Sequence, residues 1–128
     1  MRNIITVGCR QAGCLTWEEA QALARGDFGD FLRLVNESGL SSSLHLQNIW
    51  SPAAPREQAV TVALAVGSRL LDGTGAIRVH GGGFAGTIQA FVPLERLERF
   101  RAGMEVMLGQ GKCHVLRIRP QGGCVVAE

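Results

Sequence analysis

Four of the six residues from Gly81 to Gly86 are glycine. The run stands between two short segments that alternate apolar and polar residues, Ala76-Ile77-Arg78-Val79 before it and Thr87-Ile88-Gln89-Ala90-Phe91-Val92 after it. Both segments repeat β-branched residues with period two and read as strands. Three consecutive glycines cannot extend either strand. Each gives up more backbone entropy on ordering than other residues do, and none offers a side chain to pack. Such a run belongs where the chain needs positive φ, or where another chain or a ligand approaches the backbone closely. The plainest reading is a wide hairpin turn. The second is a loop whose successive N–H groups face an anion.

The rest of the chain supplies a core for that hairpin. The chain has 128 residues, 46% of them hydrophobic and 19% charged, which suits a single domain over 1–128 with a real interior. The net charge of +2 is spread over interspersed acids and bases, a pattern that argues against nucleic-acid binding. No apolar run reaches membrane-spanning length. Met1-Arg2-Asn3-Ile4-Ile5-Thr6-Val7-Gly8 lacks a long apolar segment, so a secretory leader is not expected and the cytoplasm is the expected location. Cys9, Cys14, Cys113 and Cys124 lack the spacing of zinc ligands, even with His114 beside Cys113. They read as reduced, packed thiols.

In chain order, residues 3–13 read as a short strand and loop. Thr16-Trp17-Glu18-Glu19 has the form of a capping box, and Trp17, Ala20, Leu23 and Ala24 share a helical face that ends at Gly26. Asp27 caps a second helix, with Phe28, Phe31, Leu32 and Val35 as its apolar stripe and an end near Glu37 to Gly39. Gly39-Leu40-Ser41-Ser42-Ser43 reads as a loop after that helix. As a phosphate loop it would need a helix N-terminus behind it. Leu44 to Ile49 reads as a short extended connection. A third helix spans about Arg56 to Leu71, with Val60, Ala63, Leu64, Gly67, Leu70 and Leu71 on one face. After the strand pair and Pro93, the residues Leu94, Leu97, Phe100, Met104 and Met107 mark a fourth helix. Cys113 to Ile118 reads as a strand, and Cys124 to Ala127 as a last one. The expected fold is α+β: an antiparallel sheet with helices packed on one face, closest to the ferredoxin-like arrangement.

Arg78-Val79-His80-Gly81-Gly82-Gly83-Phe84-Ala85-Gly86-Thr87 resembles the third, glycine-rich motif of galactokinases, which belong to a superfamily with homoserine, mevalonate and phosphomevalonate kinases. Gly26-Asp27-Phe28 and Phe31-Leu32-Arg33-Leu34-Val35-Asn36-Glu37-Ser38 resemble the helix and turn before that motif, so the similarity runs from about Gly26 to Val92. It implies the superfamily's C-terminal domain and its ferredoxin-like fold. It also implies an active-site loop of Gly81, Gly82, Gly83, Phe84, Ala85 and Gly86, flanked by Arg78 and His80. No catalytic residue and no metal ligand carries over. The first two kinase motifs, with the phosphate loop and the sugar-binding acids, are not recognisable in the chain.

Three functional readings follow. In the first, the chain is the C-terminal half of a galactokinase-like kinase, inactive alone. ATP and Mg2+ are then cofactors of the full enzyme only. The partners are the missing N-terminal kinase domain, the sugar and the nucleotide, and self-association occurs through the uncovered domain interface. In the second, it is a stand-alone ferredoxin-like module that binds a small molecule or regulates. In the third, it is a complete small enzyme with two phosphate loops, Gly39 to Ser43 and Gly81 to Gly86. The missing catalytic set counts against the third.

Overall fold

The computed structural model describes residues 15–84 and 86–117. They form an α+β unit. Helix α1 covers 15–24, and α2 covers Phe28–Ser41 with a π-helical turn, Ser42–Leu46, at its end. Helix α3 covers Ala59–Leu71, strand β1 Ala76–Val79 and strand β2 Ile88–Phe91. A 3-10 turn, Leu94–Arg96, leads into α4, Leu97–Leu108. No helix among the described residues is long and apolar enough to cross a membrane.

The two strands form an antiparallel hairpin in which Ala76 faces Phe91, Ile77 faces Ala90, Arg78 faces Gln89 and Val79 faces Ile88. Side chains alternate across a strand, so the hairpin has two different faces. Ile77, Ile88 and Ala90 point to α3 and α4, where Ala63, Leu71, Phe100 and Met104 complete the main core. Gly67 of α3 lies directly under Ile77, and Gly103 of α4 lies against Leu70. In both places the missing side chain lets the elements close up, which improves packing at some cost in helix propensity. Arg78, Gln89 and Phe91 point the other way, to α2 and α1. There Phe31 meets Phe91 edge to face, with ring centroids 5.2 Å apart.

Helices therefore cover both faces of the hairpin, not one face as expected. The reason is α2. Gly39 brings its backbone onto β1, where a Cβ would come within 2.7 Å of the Arg78 Cβ. Asn36 accepts the Ile77 N–H on Oδ1 at 3.0 Å and donates Nδ2 to the Gly75 carbonyl at 3.3 Å. Arg78 Nε donates to the Val79 carbonyl at 3.1 Å. These bonds cover the outer edge of β1, which would otherwise present unpaired backbone groups.

The expected third strand is not formed over 113–117, and Ile118 lies outside the described residues. A cavity of about 390 Å³ opens between β2 and Cys113 to Leu116, with Ile88, Ala90 and Val92 on its far wall. The two segments are held apart there without a backbone ladder. The strands expected within 3–13 and 124–127 also lie outside the described residues.

Helix α2 also runs further than its sequence suggests. Gly39 to Ser43 continues the helix, and Gln47 ends it in the left-handed region at φ 50°. Leu44 to Ile49 is accordingly a π turn followed by a tight turn, not an extended connection. Serines lower helix propensity because their hydroxyls compete for the backbone, and here tertiary bonds occupy those hydroxyls. Arg78 donates Nη1 to Ser38 Oγ and Nη2 to Ser42 Oγ, while Ser43 Oγ bonds back to the Gly39 carbonyl.

Candidate functional site

The glycine loop joins β1 to β2 and closes with the His80 N–H donating to the Thr87 carbonyl at 3.0 Å. Its glycines do different jobs. Gly81 and Gly86 have φ of +65° and +83°, with nothing within 4 Å of where a Cβ would be. They serve the turn's conformation. Gly82 also has open space but no positive φ. Gly83 has φ +75° and no room, since a Cβ would lie 2.6 Å from the Asn48 Cβ and 2.8 Å from its Cγ.

Asn48 is the peg under this loop. It is 2% exposed. Its backbone carbonyl accepts the Phe84 N–H at 2.9 Å, and its side-chain Nδ2 donates to the Gly82 carbonyl at 3.3 Å. Asn48 Oδ1 is buried without a partner. Phe84 sits at φ +59°, uncommon for a residue with a side chain, and the residue is 60% exposed. Leu44 and Leu46, in the turn before Asn48, and Trp50 just after it are exposed as well. The loop thus carries an outward aromatic and lies next in structure to a segment with three exposed large apolar residues. Ala85 lies outside the described residues.

The two flanking polar residues part company. His80 opens the loop and is exposed. Arg78 is turned away from it, with its guanidinium committed to Ser38, Ser42 and the Val79 carbonyl. It is a strut between β1 and α2. Gly39 to Ser43 lies at the C-terminal end of α2, where the helix dipole is negative and repels phosphate. The run therefore offers no phosphate cradle.

One residue enters that the sequence reading placed only in a capping box. Glu19 lies on the face of α1 that turns inward, four residues after Leu15 and three before Ala22, both buried. Trp17 and Leu23, expected on the packed face, are exposed instead, at 67% and 46%. Glu19 Oε1 is buried with no hydrogen-bond partner. Burial raises the pKa of its carboxyl, and the Arg78 charge opposes that shift in part. Glu19 is also among the residues that line a cavity of about 270 Å³, together with Phe31, Val35, Phe91, Arg78, His80, Gly81 and Gln89. The available signal was the spacing of Glu19 with Leu15 and Ala22, which puts all three on one helical face.

Among the described residues, no group of three or more His, Cys, Asp or Glu side chains comes together as a metal site would require. No family model matches the chain, and no solved structure matches it.

Proposed function

We propose that this chain is the C-terminal domain of a galactokinase-like sugar kinase and contributes its glycine loop, Gly81 to Gly86, to an active-site cleft that a second domain completes. The observation that supports this most directly is the build of the loop. It is pinned from one side by Asn48 and is open over Gly81, Gly82 and Gly86. A loop fixed in place and bare of side chains at Gly81, Gly82 and Gly86 suits the close approach of a ligand or another domain to its backbone there.

Phe84, Leu44, Leu46 and Trp50 are the exposed apolar residues of the loop and of the segment that pins it. In this reading they form the seam with the N-terminal kinase domain, and they cause self-association when that domain is absent. The hairpin is then the central part of a ferredoxin-like sheet. ATP, Mg2+ and the sugar are held by the whole enzyme in the cytoplasm, and the isolated domain does not phosphorylate.

The phosphoryl-transfer parts that this reading leaves to the other domain are a phosphate cradle, a magnesium site and a group that orients the acceptor hydroxyl. The test is nucleotide binding by the 128-residue chain, where the expected result is none. A second reading, a stand-alone small-molecule-binding module, is favoured by one feature, the cavity that Glu19, Phe31 and Phe91 line.

A further inference from the structure

The outer edge of β2 is open. The His80 N–H bonds to the Thr87 carbonyl, so in this register Arg78 with Gln89 and Ala76 with Phe91 are the hydrogen-bonded pairs. Val79 with Ile88 and Ile77 with Ala90 are the others, and their N–H and C=O groups point away from the facing strand. On the β1 side Asn36 takes the outward Ile77 N–H. On the β2 side the backbones of Ile88 and Ala90 make no hydrogen bond to another described residue. The edge from Ile88 to Phe91 also carries no charge, proline or bulge, the features that keep an edge from pairing.

The surroundings of that edge narrow the occupant. Two cavities of about 380 and 390 Å³ share Thr87, Ile88, Ala90, His114 and Leu116 in their linings, so they form one slot between β2 and the segment after α4. With a wall across from the edge, the slot admits a single extended chain and not the edge of a second folded sheet. An alkyl chain would take water from the outward groups of Ile88 and Ala90 and leave them unpaired. A peptide strand pairs them. Its residues opposite Ile88 and Ala90 turn their side chains to the same face, where Leu97, Phe100, Met104 and Leu108 line the slot, so those residues must be apolar. The slot has a charge preference too. Lys112 and His114 line it, and no described Asp or Glu does. Lys112 has no ion-pair partner among the described residues. Gly86, at the N-terminal end of β2, lines the slot and has open space at its Cα. A chain antiparallel to β2 brings its C-terminus to Gly86, and a parallel one brings its N-terminus. With cations and no acids in the lining, only the first is matched. We propose that the β2 edge captures the free C-terminus of a partner peptide by strand addition. The carboxylate lies at the Gly86 end, Lys112 attracts it, and the last and third-last residues place apolar side chains in the slot. The site uses only the β2 end of the glycine loop and does not depend on the kinase reading.

The experiment titrates the 15N-labelled 128-residue chain with a short acetylated peptide of alternating threonine and valine that ends in valine with a free carboxylate. The expected result is a saturable shift of the Ile88 and Ala90 amides, with their hydrogen exchange slowed. The same peptide capped as a C-terminal amide should bind about tenfold more weakly. N-methylation of its valines, which removes the donors to β2, should abolish saturation. Lys112→Ala should weaken the carboxylate peptide about two- to fivefold and leave the amide peptide unchanged. Ala90→Pro removes an outward N–H and should abolish binding of both. The peptide comparison carries the test if that variant does not fold. The proposal is overturned if the carboxylate peptide fails to saturate these amides at millimolar concentration, or if the amidated or N-methylated peptide binds as tightly. It is equally overturned if the Ile88 and Ala90 amides are already protected from exchange in the chain alone, since another segment of the chain would then hold the edge.

Discussion

Gly83 lies against Asn48 with no room for a side chain between them: a Cβ at position 83 would be 2.6 Å from the Asn48 Cβ. The neighbouring Gly82 accepts the Asn48 amide yet has open space on its Cα. The two glycines therefore predict opposite outcomes. Gly83→Ala combines a steric clash with a left-handed backbone and should lower stability by about 1–3 kcal/mol. Gly82→Ala should change it by no more than about 0.5 kcal/mol. Urea unfolding of the two variants reads the difference, and equal effects would mean that Asn48 does not hold the loop.

Asn36 ties α2 to the edge of β1 through two bonds, one to the Ile77 N–H and one to the Gly75 carbonyl. Asn36→Ala removes both and should cost about 1–2 kcal/mol in urea unfolding. Asn36→Asp keeps the acceptor for Ile77 but sets a carboxylate against the Gly75 carbonyl, so it should fall between the parent and the alanine variant. An aspartate variant worse than alanine would show that the Gly75 contact is the one that matters.

Arg78 has a structural role. Its fork reaches Ser38 in α2 and Ser42 at the start of the π-helical turn, both buried. Arg78→Ala leaves two hydroxyls without their donor and should destabilise by about 1–3 kcal/mol. Arg78→Lys should recover little, because a compact ammonium lacks the wide planar fork whose two Nη atoms reach the two hydroxyls. Circular dichroism of the alanine variant should show lost helix, since the serine-rich end of α2 depends on this contact. Unchanged helix content would contradict that dependence.

Glu19 gives stability a defined pH dependence. Burial raises its folded-state pKa above the ordinary 4.5, so the folded state holds the proton more tightly than the unfolded state does. Its contribution is fully present below the unfolded pKa and is lost as pH rises through the folded one. Arg78 and His80 are the charged or titratable groups that share the cavity rim. Glu19→Gln cannot ionise, so it should be more stable than the parent at pH 7, and the gap should close on acidification below the carboxylate range. Unfolding curves across that range check this, and a gap independent of pH would show that ionisation of Glu19 is not the cause.

The hairpin was legible because alternation over Ala76 to Val79 and Ile88 to Phe91 leaves strands as the simple solution, with glycines as the turn. The core face of α3 was legible because Ala63, Leu64, Gly67, Leu70 and Leu71 repeat at helical spacing. Helix α1 was not, because its apolar residues surround the axis and offer two candidate stripes. The larger one, with Trp17 and Leu23, faces solvent, and the smaller one, Leu15 and Ala22, is buried. The serine run after Gly39 read as a loop on local propensity. A contact 36 to 40 residues away in sequence, from Arg78, holds it helical, and no local signal carries such a contact. Asn48 was missed for the same reason: only the folded hairpin brings the glycine loop down onto it. The role of Gly83 in close approach was foreseeable in kind, but not its partner.

The most direct measurement is calorimetric titration of ATP with Mg2+ into the 128-residue chain, with and without galactose. A half-site that leaves the phosphate cradle to another domain should give no heat of binding in either case. Saturable binding at micromolar affinity would contradict the half-site reading and would require a nucleotide site within this chain.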